Sequence, residues 1–277
     1  MKLYSETITS RNNPTVKWAA SLADKKGREE SRAFIVEGIK LSLEAAETGL
    51  PITHIFISEK VKDKYLSSIT EALRSDVYLK TEIYVLSDSA FSKISTEKSP
   101  QGVISVIKYL DFFEELDIIY KEDFFLHRDE RAILLCSVRD PGNLGSVIRS
   151  SVAFGVEHIV LSSDCADIYN PKTVRSAMGS LFRVKITVVS NLSSFINVSK
   201  NCGRRVFAAE LTDNAVSLDE ISIEKNDIFV IGNEGHGISR EVSSECSGSV
   251  YIPISKKTES LNASVAAAIF MWEQVKL

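Results

Sequence analysis

Asp227–Ser239, DIFVIGNEGHGIS, runs from an apolar stretch into a glycine-rich turn. Ile228–Ile231 has the length and character of a buried strand. Gly232, Asn233, Glu234, Gly235, His236 and Gly237 follow it, and Ser239 is placed to cap a helix. α/β proteins seat ligands where a strand opens into such a turn, and glycine lets a small molecule lie against main chain because no Cβ intervenes. The order GxxGxG is neither the dinucleotide fingerprint GxGxxG nor a Walker A loop; alone, it describes only a turn. A second kind of chemistry is offered by Arg11, Asn12, Lys17, Lys25, Lys26, Arg28 and Arg32. Such a cluster attracts phosphates without reading base sequence, although charge alone equally describes a solvated helix face. The histidines form no HxxxH pair and the four cysteines no CxxC, so no metal is expected.

Positioning these groups takes alternating strands and helices. In the first hundred residues, Arg11–Asp24 reads as a helix with Asn13 as its cap and Pro14 at its first position. Phe34–Val36, Ile52–Ile57, Ile83–Leu86 and Gln101–Ile107 read as strands, and Ile39–Thr48, Val61–Leu73 and Ser87–Ile94 as helices. From Arg131 the alternation strengthens. Ala132–Val138, His158–Ser162, Val184–Val189, Arg204–Glu210, Asp227–Ile231 and Ser249–Pro253 read as strands, with Asn143–Phe154, Pro171–Met178, Ser193–Asn201 and Ser239–Cys246 as helices. That pattern implies a parallel sheet with helices on both faces. The last helix, Leu261–Lys276, is apolar nearly all round, which requires burial on two sides and favours a dimer through this half.

The 277 residues are long enough for two domains, expected at 1–108 and 131–277 with a connector at 109–130. The connector, with two basic and eight acidic residues among four phenylalanines, is expected to pack rather than swing, as a helix laid across one domain. It accounts for the net charge of −4, since residues 1–108 carry +2 and residues 131–277 are neutral. The charge balance therefore does not exclude a nucleic-acid partner. No apolar run spans a bilayer, and free, buried thiols fit a reducing cytoplasm.

Three stretches of the C-terminal half stand in fixed order: Asp140–Arg149, DPGNLGSVIR; Gly232–Gly237, GNEGHG; and Ile252–Asn262, IPISKKTESLN, leading into ASVAAAIF. Together they resemble the signature motifs of the SpoU (TrmH-like) RNA ribose 2′-O-methyltransferases of the SPOUT superfamily, and Arg175–Val184 extends the resemblance. The first hundred residues resemble the small ribosomal-protein-like substrate-binding module often fused ahead of that core, through NPxVK at Asn13–Lys17 and FxVEG at Phe34–Gly38.

The resemblance implies an α/β SPOUT core with a deep trefoil knot, working as a homodimer on RNA, with rRNA favoured over tRNA and neither metal nor membrane involved. It implies S-adenosylmethionine as cofactor, held at Gly232, Ile252 and Leu261 with Ala209 and Glu210 close by. Matched by position, Arg149 would stabilise the developing oxyanion and Asn143 would order the site. Glu234 would orient Arg149 or substrate, and Ser260 and Asn262 would fix the third motif. Arg11, Lys17, Lys25, Lys26, Arg28 and Arg32 would meet RNA. Taken singly, Asn143 is a helix cap, Arg149 a surface ion-pair residue, Glu234 a turn acid, and Ser260 and Asn262 caps of the last helix. One departure is Lys256, where the third motif usually has glycine. Other readings are a tRNA 2′-O-methyltransferase, a non-catalytic RNA-binding protein on the same fold, and a nucleotide-binding oxidoreductase. The missing GxGxxG disfavours the last.

Overall fold

The computed structural model describes residues 1–73, 78–110, 113–116 and 130–276, with Ser5 and Phe113–Leu116 described by backbone alone. The first part of the chain runs β1 (Lys2–Ile8), α1 (Pro14–Ser21), α2 (Lys25–Ser31), β2 (Ala33–Glu37), α3 (Ile39–Glu47), β3 (Ile52–Ser58), α4 (Lys62–Ala72), β4 (Glu82–Leu86), α5 (Asp88–Ile94) and β5 (Val103–Lys108). It continues through β6 (Phe113–Leu116), β7 (Ala132–Leu135), α6 (Pro141–Phe154), β8 (His158–Ser162), α7 (Pro171–Ala177), β9 (Lys185–Val189), α8 (Leu192–Asn201), β10 (Val206–Ala209) and β11 (Val216–Ser217). The chain ends with β12 (Ile228–Ile231), α9 (Arg240–Glu245), β13 (Gly248–Tyr251) and α10 (Ala263–Val275). Among the described residues no helix is long and apolar enough to cross a membrane.

The chain divides into two units, Met1–Leu110 with Asp167–Phe182, and Asp111–Ala166 with Arg183–Leu277. In the first, the strand order is β1-β4-β3-β5-β2, with β5 antiparallel to both neighbours. Phe34, Phe56, Ile83 and Leu86 are fully buried in its core. Helix caps follow the chemistry that short polar side chains offer to unpaired N–H groups: Asn13 accepts from Thr15 and Val16, and Ser87 accepts from Ala90. β1 was not expected from sequence. It pairs only with β4, in parallel, and as an edge strand it alternates polar and apolar residues too weakly to stand out.

The second unit is built on the strand order β11-β13-β10-β12-β7-β8-β9-β6, and every pair in it is parallel. β7 and β12 at its centre are completely apolar and buried, as a sheet covered on both faces demands. Gln274 of α10 is fully buried; its Nε2 donates to the carbonyls of Asp227 (2.7 Å) and Ala132 (3.3 Å), pinning the last helix to the starts of β12 and β7.

Several expectations are corrected. The C-terminal domain was expected to be continuous from residue 131, but Asp167–Phe182 groups with the first unit. Tyr169 explains this: its ring stacks on Tyr109 at 4.0 Å and tilts against Phe34, and its hydroxyl accepts from the Leu110 N–H. Gly179 adds to the fit, because a Cβ there would lie 2.1 Å from the Glu44 carboxylate. Within the connector, Phe113–Leu116 is a strand beside β9 rather than part of a helix; residues 111–112 and 117–129 lie outside the described residues. Within the chain α10 buries Ala267, Phe270 and Met271, while Val265 is 47% and Trp272 50% exposed, which leaves the expected second side of burial open. Of the four free thiols only Cys136 is fully buried.

Candidate active site

α6 begins with Pro141 at its first position, and the Asp140 carboxylate caps it by accepting from the Asn143 N–H at 2.9 Å. Asn143 is therefore not the cap, and its side chain is free for other work. Its Nδ2 donates to Glu234 Oε1 at 2.8 Å, and its Oδ1 accepts from Asn262 Nδ2 at 3.0 Å. Asn262 meanwhile caps α10, its Oδ1 accepting from the Ser264 N–H at 2.9 Å. One amide thus ties the first motif to the second and the third.

The second motif is a turn closed on itself. Asn233 and Gly237 exchange backbone hydrogen bonds of 2.9 and 3.0 Å, and Asn233 Oδ1 accepts from the N–H groups of Gly235 and His236. A Cβ at Gly232 would lie 2.5 Å from the Gly237 carbonyl carbon, so the turn's own closure requires glycine there. Gly237 supplies a φ of +66°.

Asn233 Nδ2 donates to the carbonyl of Ser137 at 2.7 Å. Ser137 is held at a φ of +58°, uncommon outside glycine. Its hydroxyl donates to Asp164 (2.7 Å) and its N–H to Ser162 Oγ (2.8 Å). Burial works to raise the Asp164 pKa, but hydrogen bonds from Ser162, Ser137 and Arg139 outweigh it and hold the carboxyl at about 2. Nothing in the sequence marks Ser137 or Asp164; their role depends on a backbone conformation that residue type does not signal.

Beside the turn lies a cavity of about 620 Å³. Ala209, Glu210, Gly232, Ile252 and Leu261, the five positions expected to hold a cofactor, all line it, with Glu234 and Ser260. Phe270, Ala263 and Ala266 complete an apolar wall. Lys256, the departure from the third motif, lines it too. Glu210 Oε1 accepts from the hydroxyls of Ser243 and Ser249, which fixes the carboxylate where β10 ends. Asn143 and Asn262 reach this wall through Glu234 rather than lining it. Ser260 does not cap α10; its carbonyl accepts from the Thr258 hydroxyl. Arg149 lies exposed on α6, off the cavity wall, with no hydrogen-bond or ion-pair partner among the described residues.

In the first unit, the cations expected to meet RNA separate. Arg28 is 2% exposed; its guanidinium donates to Asp167 at 2.6 Å and to the carbonyls of Leu22 and Ala23. It is a structural residue, and its expected RNA contact is withdrawn. Lys25 and Lys26 pair with Glu29 and Glu30 one turn on, and Arg32 covers the ring of Tyr109 at 4.7 Å. Arg11 and Lys17 are exposed and share one depression.

A wholly parallel sheet whose C-terminal turns wall a cavity defines an α/β ligand-binding class. The SpoU rRNA Methylase family model matches residues 130–272, and the MRM3-like substrate binding domain matches residues 13–105. The chain is 30% identical to the 23S rRNA (guanosine(2553)-2′-O)-methyltransferase RlmP of Bacillus subtilis, covering 96% of this chain and 97% of that one. It is 28% identical to the 23S rRNA (uridine(2479)-2′-O)-methyltransferase of Streptomyces viridochromogenes, over 97% and 91% of the two chains. Among solved structures, the AdoMet-bound rRNA methyltransferase from Sinorhizobium meliloti superposes with a TM-score of 0.81 at 27% identity, covering 98% of this chain and 97% of that one. The chain belongs to the SpoU rRNA methylase family.

Proposed function

We propose that the chain transfers a methyl group from S-adenosylmethionine to a ribose 2′-hydroxyl of RNA, with rRNA favoured over tRNA. The observation that carries the reading is the Asn143 bridge, which joins all three motifs through Glu234 on the cavity wall. The 23S rRNA specificity in the names of the two full-length relatives favours rRNA.

The cavity suits the cofactor. Ile252, Leu261 and Ala209 offer apolar surface to a flat adenine, and the carboxylates of Glu210 and Glu234 favour a cationic donor. When bound, S-adenosylmethionine supplies a methyl group already activated on a sulfonium, so the protein need not provide a nucleophile. The protein's tasks are to align the hydroxyl and to favour loss of its proton. The Arg149 guanidinium, which has no hydrogen-bond or ion-pair partner among the described residues, stabilises the oxyanion that develops on the ribose. Asn143 holds Glu234, which faces the cavity and orients the substrate, and Asn262 and Ser260 keep the third motif in register.

A knot and a homodimer belong to the same reading. The knot rests on the family to which the chain belongs. The exposed Val265 and Trp272, with Phe154 at 5.7 Å from Trp272, support a second copy packing against α10 and α6. Arg149 lies on α6 and would then be completed by the partner.

The test is methyl transfer from labelled S-adenosylmethionine to rRNA, comparing the natural chain with Arg149→Ala. Transfer falls at least about tenfold, or roughly 1.4 kcal/mol of barrier, while calorimetric binding of the cofactor persists. Equal rates would remove Arg149 from the mechanism, and no heat with the cofactor would remove the function.

A further inference from the structure

The first unit carries a depression of about 570 Å³ between α1 and α5. Arg11 and Asn12 enter from the turn after β1, Lys17, Ala20 and Ser21 from α1, Asp24 from the turn after it, and Lys93 from α5. Arg11, Lys17 and Lys93 are all exposed, and none of their side chains has a hydrogen-bond or ion-pair partner among the described residues. Their neighbours differ: Lys25 and Lys26 are spanned by Glu29 and Glu30, and Arg28 is buried on Asp167. Lys25, Lys26 and Arg28 of this segment thus meet carboxylates and Arg32 covers Tyr109, while Arg11 and Lys17 share one concave surface with Lys93.

We infer that the groove between α1 and α5 grips the sugar–phosphate backbone of the RNA substrate through Arg11, Lys17 and Lys93. The inference rests on the chain acting on RNA. Three cations against the single carboxylate of Asp24 leave the groove net positive, which suits phosphodiesters. A carboxylate among cations also offers an acceptor for a ribose 2′-hydroxyl, a group that DNA lacks. The Asn12 side chain adds a neutral polar group at the same rim. Lys93 carries this beyond the sequence pattern, because it lies some 76–82 residues from its partners and reaches them only through the packing of α5 on α1.

The experiment uses the full-length chain and protein-free large-subunit rRNA, with affinity measured against salt concentration. The variant Arg11→Ala/Lys17→Ala/Lys93→Ala is compared with Lys64→Ala/Lys80→Ala, which removes exposed charges of the same unit that lie off the groove. Three lost phosphate contacts reduce the slope of log K against log salt by about 2, and weaken binding about tenfold or more at moderate salt. KM for RNA rises with kcat and cofactor binding unchanged, while the off-groove control keeps the slope of the natural chain. An unchanged slope in the triple variant, or an equal drop in the control, overturns the groove assignment. If the natural chain itself binds no RNA, the RNA reading fails as well, which the variants alone would not show. A same-sequence DNA that binds as tightly as RNA removes the role given to Asp24.

Discussion

The side-chain amide of Asn143 donates to Glu234 at 2.8 Å and accepts from Asn262 at 3.0 Å, so one residue fastens segments 91 and 119 positions further along the chain. A side-chain amide fills both roles, because it carries a donor and an acceptor on one planar group. Replacing it with alanine removes both bonds at an exposed site, so stability falls by no more than about 1 kcal/mol. Methyl transfer drops much further, by about tenfold or more, because the three motifs lose their common tie. Asn143→Asp is worse than Asn143→Ala at neutral pH, since it sets a second carboxylate against Glu234. Turnover assays beside thermal melts check both orderings.

Arg28→Ala is expected to unfold rather than to disarm. It strips a buried guanidinium from Asp167 and from the carbonyls of Leu22 and Ala23. Breaking one partner of such a pair costs about 3–5 kcal/mol. Denaturant titration reads the loss; RNA affinity measured where the variant is still folded stays within about twofold of the natural chain.

Gly232→Ala places a methyl group 2.5 Å from the Gly237 carbonyl carbon, a contact that only backbone movement relieves. The cost falls on the cavity wall, so S-adenosylmethionine affinity drops about tenfold or more, against an overpacking strain of about 1–3 kcal/mol. Gly235→Ala, where the new Cβ would meet only Asn233 Oδ1 at 3.6 Å, leaves binding nearly unchanged.

His158 gives the fold a pH limit. Burial lowers its pKa, and the nearby Glu130 only partly offsets this. The unfolded chain therefore binds the proton more readily than the native one, and stability declines as pH falls below the ordinary histidine value of 6.5. Melting temperatures recorded from pH 7.5 down to 5 should fall, and His158→Gln, which retains a hydrogen-bonding group for Thr187, should flatten the lower part of that curve.

Local signals in the sequence match the structure closely where the physics is local. β8 occupies the stretch read for it, and Asn13, Ser87 and Ser239 each cap the helix their position implied. The glycine-rich turn was visible, but its reason was not: Gly232 serves the closure of the turn before it serves any ligand. What could not be read were partnerships across long separations. The basic cluster did not reveal that Arg28 is spent on Asp167, 139 residues away, nor that Lys93 joins Arg11 and Lys17. β1 and β11 escaped notice because edge strands bury too little to impose a pattern. The catalytic candidates became legible only as a set, through the three motifs; taken singly, Asn143 resembled a cap, and Asp140 has that role instead.

The measurement that bears most directly on the central claim is the site of methylation on rRNA incubated with the purified chain and labelled S-adenosylmethionine. Nuclease digestion and mass spectrometry should place the label on a 2′-O-methylated nucleoside, with the adjoining phosphodiester resistant to alkali. Label recovered on a base, or no transfer to rRNA by a chain that binds the cofactor, would contradict it.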